Sequence, residues 1–302
     1  MKPIINLKNI SELNTFLKST TRHPLVAVVD FSKANDSIEN ETRISSDFYS
    51  VMFKNYCVNN IRYGRKPYDF QDGSLICIAP KQVLTIDNEV EKKEDRIGWG
   101  IFFHPDLIRG TSLGAKIKEF TFFLYESNEA LHLSEKEKTT LHDIVKKIDL
   151  ELAENIDKHS QTLIVSNIEL LLNYCSRYYD RQFITRKRAN NDYLVKFENL
   201  LNNYFQSPES IKKGLPTVRY CADNLYLTPN YLSDLLKKET GMNAQEHIHN
   251  YIIEESKTIL LNSNHSVGEI SNELGFEYPQ YFSKLFKTKT GMTPIEYRKF
   301  KN

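Results

Sequence analysis

The chain has 302 residues, 40% of them hydrophobic, with 40 Lys+Arg against 39 Asp+Glu. That length suggests about two domains, and no apolar stretch approaches the roughly 20 residues that a membrane-crossing helix needs. A formal net charge of +1 excludes a global basic field, so any nucleic-acid footprint has to be local.

Residues 1–17 alternate polar and apolar side chains and lack a signal-peptide profile. Residues 25–29, 48–53, 74–78 and 99–103 are rich in β-branched and aromatic residues, with turn residues such as Asp72 and Gly73 between them. They predict an antiparallel sheet or a small barrel. Cys57, Cys77, Cys175 and Cys221 are scattered without C-x-x-C spacing, which fits reduced structural thiols in a cytoplasm better than a disulfide framework or zinc site. His23 and His104 flank the strand region far apart, a poor metal signal, so no metal and no cofactor are expected. Trp99, Phe102, Tyr63 and Tyr68 are candidates for the lining of a small-molecule pocket, against the plainer reading of a packed core.

Helices follow the strands. Ser134 and Glu137 form an S-x-x-E capping box, and Leu141, Ile144, Val145, Ile148 and Leu152 recur at three and four residues, predicting an amphipathic helix over 134–157. A second helix over 160–179 carries Leu163, Ile164, Ile168, Leu170, Leu171, Leu172 and Tyr174. So wide an apolar face needs more than one partner, drawn from the first helix, the sheet region or a second subunit. Residues 185–191 read as a basic, polar linker, and a helix over 192–205 opens the next domain, ending at Ser207 and Pro208.

The last third repeats itself. Residues 218–247 are echoed by 267–297, with an offset of 49 residues before the turn and 50 after it. A period of that size marks duplicated supersecondary units. In the second copy, Ser266 and Glu269 cap a helix that buries Val267, Ile270 and Leu274, and Gly275 stops it. Phe276 tucks beneath, and Pro279 starts a second helix that buries Tyr281 or Phe282, Leu285 and Phe286. Gly291 ends that helix, and Thr293, Pro294 and Glu296 start a short one. The first copy uses Thr228, Pro229, Gly241, Asn243 and Glu246 in the same roles, but has Tyr226 in the place of Gly275. Helix, tight turn and helix make the unit whose second helix commonly enters a DNA major groove. Residues 244–261 lack Gly and Pro and predict a connecting helix of about 27 Å, able to hold the two second helices roughly one DNA turn apart.

Gly275-Phe276, Tyr281-Phe282-Ser283, Phe286-Lys287, Thr290-Gly291, Thr293-Pro294 and Tyr297-Arg298 resemble the signature of the AraC/XylS family of bacterial transcription regulators. The resemblance covers roughly the last hundred residues and implies a DNA-binding domain of two helix-turn-helix units. It places Asn230, Ser233 and Asp234 on the first recognition helix and Gln280, Ser283 and Lys284 on the second. Gln pairs with adenine and Lys donates to guanine, while Lys237, Lys238, Lys287 and Lys289 are expected on phosphates. Two positions depart from the pattern. Asp234 stands where the family often has a basic residue, and Ile252 where it usually has an arginine. Residues 72–80 are also similar to an element of the cupin-like sensor domains that family members often carry.

These readings give an α+β chain: a β-rich cupin-like domain over 1–132, a helical dimerisation segment over 133–184, the linker, and a double helix-turn-helix domain over 192–302. The function implied is a sequence-specific regulator, an activator in the favoured form. It would bind double-stranded DNA in the cytoplasm as a homodimer, contact RNA polymerase, and leave room for a small-molecule effector. The competing reading is a ligand-binding or enzymatic cupin-like protein whose C-terminal helices form a protein interface. The sequence contains no G-x-S-x-G, phosphate-cradling glycine loop or H-E-x-x-H to support catalysis.

Overall fold

A computed structural model describes the chain except residues 1–2, 34–41, 55–60, 64–65, 68–72, 87–97, 126–128, 186, 208 and 302; the side chains at 61–63, 66–67, 86, 187–191 and 301 also lie outside the description. Cys57, Tyr68 and Asp72, and the Tyr63 side chain, therefore lie outside it. The chain divides into two units, Met1–Gln182 and Phe183–Asn302.

The first unit is built on two five-stranded sheets. One contains β1 (Ile4–Leu7), β3 (Thr42–Ser46), β8 (Val83–Ile86), β5 (Ile61–Tyr63) and β6 (Lys66–Pro67), in that order. The other contains β10 (Leu131–His132), β7 (Ser74–Ile78), β4 (Tyr49–Lys54), β9 (Gly98–Phe103) and β2 (Val26–Asp30). Only β1 and β3 run parallel among the paired strands described. The four predicted strands are the four long strands of the second sheet, whose β7 is buried at every position. A strand covered on both faces cannot alternate, and reads as an unbroken apolar run.

Helix α1 (Ile10–Phe16) closes a core against that sheet, with Ile10, Leu13, Phe48, Met52, Ile78 and Phe102 in one cluster. Phe48 and Phe102 meet edge to face at 6.0 Å. Trp99 lies three residues before Phe102 and so on the opposite sheet face, where it packs against Phe53 at 5.8 Å. Trp99 and Phe102 therefore do not line one pocket. His23 and His104 have local duties: each Nδ1 accepts a backbone N–H, from Leu25 at 3.1 Å and from Asp106 at 3.2 Å. His104 thereby caps α2 (Pro105–Ile108), which precedes α3 (Ser112–Lys116).

Helix α4 (Glu135–Glu151) starts at the predicted capping box, where the Ser134 N–H donates to Glu137 at 2.8 Å. It stops short of residue 157 because Asp157 is used to start the next helix, accepting from the His159 and Ser160 N–H groups at 2.7 and 3.0 Å. The His159 N–H bond first, then the bonds from the Ser160 hydroxyl and N–H, hold the Asp157 carboxyl below its ordinary value. Helix α5 runs Ser160–Thr185, past the predicted end at 179. Arg181 explains the extension: it binds Glu137 at 2.7 Å and the His132 carbonyl at 2.7 Å, tying the last turns of α5 to α4 and β10. Cys77 and Cys175 are free and buried, and burial next to Cys175 pushes the Cys77 thiol up.

The second unit is helical: α6 (Lys187–Gln206), α7 (Glu209–Lys213), α8 (Val218–Leu225), α9 (Pro229–Thr240), α10 (Ala244–Asn262), α11 (Val267–Glu273), α12 (Pro279–Thr290) and α13 (Pro294–Lys301). The predicted linker is corrected here, because residues 187–191 already belong to α6. No Pro or Gly occurs among them to interrupt a helix. Cys221 is buried and its thiol is pushed up to about 12 by burial, which makes it inert packing. Among the described residues no helix is long and apolar enough to cross a membrane, and no cluster of metal-binding side chains occurs.

Candidate nucleic-acid interface

The two helix-turn-helix units are cut from one set of local devices. In the second, Ser266 and Glu269 exchange bonds of 2.6 and 3.2 Å at the start of α11. Gly275 then takes φ 91°, and Phe276 folds under the turn with its ring 5.4 Å from Phe282. Gly275 is also needed for space, since a Cβ there would lie 2.6 Å from the Ser210 carbonyl oxygen. The Ser210 hydroxyl in turn donates to the Glu273 carbonyl at 3.1 Å, so α7 braces the end of α11.

In the first unit Tyr226 occupies the same left-handed region at φ 60° and is largely exposed. A non-glycine residue there costs roughly 1–2 kcal/mol. The turn survives because Leu227 is buried beneath it and Thr228 caps α9, accepting from the Tyr231 N–H at 3.1 Å. Both second helices end alike, at Gly241 and Gly291, each with φ 81°. The threonine before each glycine binds back to its own helix, Thr240 to Leu236 and Thr290 to Phe286, both at 2.8 Å. It also receives the N–H of Met242 or Met292. The Thr-Gly pair that ends each second helix is therefore folding chemistry.

Burial on α9 and α12 decides which edge is free. Helix α9 turns Tyr231, Leu232, Leu235 and Leu236 inward. Asn230, Ser233 and Asp234 remain half-buried, and Lys237 and Lys238 are exposed. Helix α12 buries Phe282 and Phe286 and leaves Gln280, Lys284, Lys287 and Lys289 exposed, with Ser283 half-buried. The sequence left Tyr281 and Phe282 as alternatives for the core. The core takes Phe282, at 0% exposure, and Tyr281 is 60% exposed. Tyr281 thus joins the free edge of α12 beside Tyr278, its ring 5.7 Å away.

Two further positions are reassigned. Arg298, one of the residues that carry the family resemblance, donates to the Leu260 carbonyl at 2.9 Å and the His265 carbonyl at 2.7 Å. Its charge is committed to the end of α10, as suits a cation at a helix C-terminus. Ile252 is fully buried on α10, so this position serves the core. His249, on the same helix, is held below its ordinary value by burial first and then by the Lys289 ammonium.

A helix-turn-helix domain model matches residues 221–299, from within α8 to within α13. The C-terminal unit is an AraC-type helix-turn-helix domain. The transcriptional regulatory protein YesN of Bacillus subtilis is 39% identical over 79 residues, 26% of this chain and 22% of its own length. The transcriptional activator RhaR of Yersinia pseudotuberculosis is 32% identical over 90 residues, 30% of this chain and 31% of its own length. The solved C-terminal domain of the response regulator yesN from Fusobacterium nucleatum is 28% identical, with 33% of this chain and 96% of that one covered at a TM-score of 0.28. The chain thus spans less than a third of the length of these two curated relatives.

Proposed function

We propose that the protein is a sequence-specific DNA-binding transcriptional regulator, an activator, that reads two successive major grooves with α9 and α12. The observation that carries this is the pairing of two complete helix-turn-helix units across α10. Its 19 residues amount to about 28 Å at 1.5 Å per residue, close to the 34 Å of one DNA turn once the turns at its ends are added. Asn230, Ser233, Asp234, Gln280, Ser283 and Lys284 are the proposed base readers, with Tyr281 beside them. Lys237, Lys238, Lys287 and Lys289 are the proposed phosphate anchors. Activation follows the name of RhaR, and it implies a contact with RNA polymerase.

The first unit is the proposed cupin-like sensor, supported by its two five-stranded sheets. Homodimerisation is proposed through α5, where Leu163 and Leu170 remain 47% and 42% exposed. They lie seven residues apart on one helix face, the spacing of a helix–helix seam.

Selection of bound sequences from a random DNA library, followed by salt titration, tests the function. The expected result is one enriched site whose log K falls with log salt at about −0.9 per phosphate contacted. No enrichment, or binding indifferent to salt, contradicts it.

A further inference from the structure

We infer that the first unit holds a ligand site outside its sheet core, in the groove between β2, β9 and α4, for a small monocarboxylate with an apolar body. The inference rests on the sensor role proposed above and names its ligand class. The groove encloses about 770 Å³, within the roughly 300–1,000 Å³ of small-molecule sites. One wall is apolar, formed by Val28, Phe53, Trp99 and Val145. Val28, Phe53 and Trp99 lie on the sheet face opposite Phe102, and the core cluster reaches the groove only at its edge, through Leu17 and Val29.

The rim carries the charge. Arg22, Lys33, Lys138 and Lys146 face two carboxylates, Asp30 and Asp149. Most of these cations are already matched within the protein. Arg22 pairs with Asp149, Lys33 with Asp30 at 3.1 Å and Lys138 with Glu135 at 2.6 Å. Lys146 is exposed and has no ion pair among the described residues. It shares one face of α4 with His142, a turn away. One unmatched ammonium above an aromatic floor suits an acid with a single negative charge. A dianionic phosphate would need further donors, and no glycine-rich loop is present to supply them.

Trp99 is the sole tryptophan of the chain and stands in the groove wall, so its fluorescence reports occupancy. The full-length protein is titrated with 4-phenylbutyrate and, in parallel, with the uncharged 4-phenylbutan-1-ol. A saturable change is expected with the acid, roughly tenfold weaker for the alcohol and for Lys146→Glu, and unaltered in Lys118→Glu, which changes an exposed lysine outside the groove. The site is overturned if no saturable change occurs, if acid and alcohol bind alike, or if Lys146→Glu binds like the parent. DNA affinity measured with and without the acid separates the two ideas. Binding that leaves DNA affinity unchanged supports the site and ends only the sensor role.

Discussion

Lys284 and Lys287 sit three residues apart on α12, both exposed, yet different duties are proposed for them. As a proposed base reader, Lys284 predicts that Lys284→Ala relaxes preference at one base position and costs about 1–3 kcal/mol at the preferred site. Lys287→Ala should weaken every sequence alike and lower the salt slope by about one phosphate's worth. Competition binding against single-base variants of the selected site distinguishes them, and identical behaviour would remove the division into readers and anchors. The turns offer a second residue-scale test, in stability. Gly275→Ala adds a Cβ 2.6 Å from a backbone oxygen at φ 91°, and should destabilise by at least about 2 kcal/mol. Tyr226→Gly relieves a left-handed tyrosine and should raise the melting temperature. Thermal unfolding of the two variants checks both signs. Gly275 and its neighbours were legible in the sequence because glycine, proline and capping residues act locally. The duty of Arg298 was not, because its partners at Leu260 and His265 come from 38 and 33 residues away.

Elements differ in how plainly they were written. Strands β2, β4, β7 and β9 stood out because sheet burial on both faces made them continuous apolar runs. β1, with three of its four residues exposed, and β3, which mixes Thr, Arg and Ser, gave no such run. The short helix α7 was missed altogether, although it supplies the Ser210 brace behind the second turn. Helix α10 was read nearly to its ends, since Asn243 and Glu246 cap one end at 2.8 and 3.0 Å and no breaker interrupts it. This helix also carries a pH dependence. Burial holds His247 and His249 below the ordinary value of 6.5. The unfolded chain therefore binds protons that the folded helix refuses, so their contribution is intact above about pH 6.5 and is lost as pH falls below it. Melting temperature should fall between about pH 7 and about pH 5.5. His247→Gln should flatten that fall, while keeping a polar partner for Thr240, whose hydroxyl lies 2.7 Å from the His247 ring.

At the scale of the whole molecule, the halves were unequally readable. The second unit repeats a local grammar twice, and each copy checks the other. The first unit depends on pairings between strands distant in sequence, such as β1 with β3 and β2 with β9, which no short motif announces. The groove facing Lys146 belongs to this class, since its walls come from strands and a helix that meet only on folding. The two-groove reading rests on α10 as a rigid spacer between two readers. Its most direct test uses the selected operator with about five base pairs, half a helical turn, inserted between its two halves. A rigid spacer predicts that affinity falls to the non-specific level, because one reader is then turned to the wrong face of the duplex. Unchanged affinity for the lengthened site would contradict it.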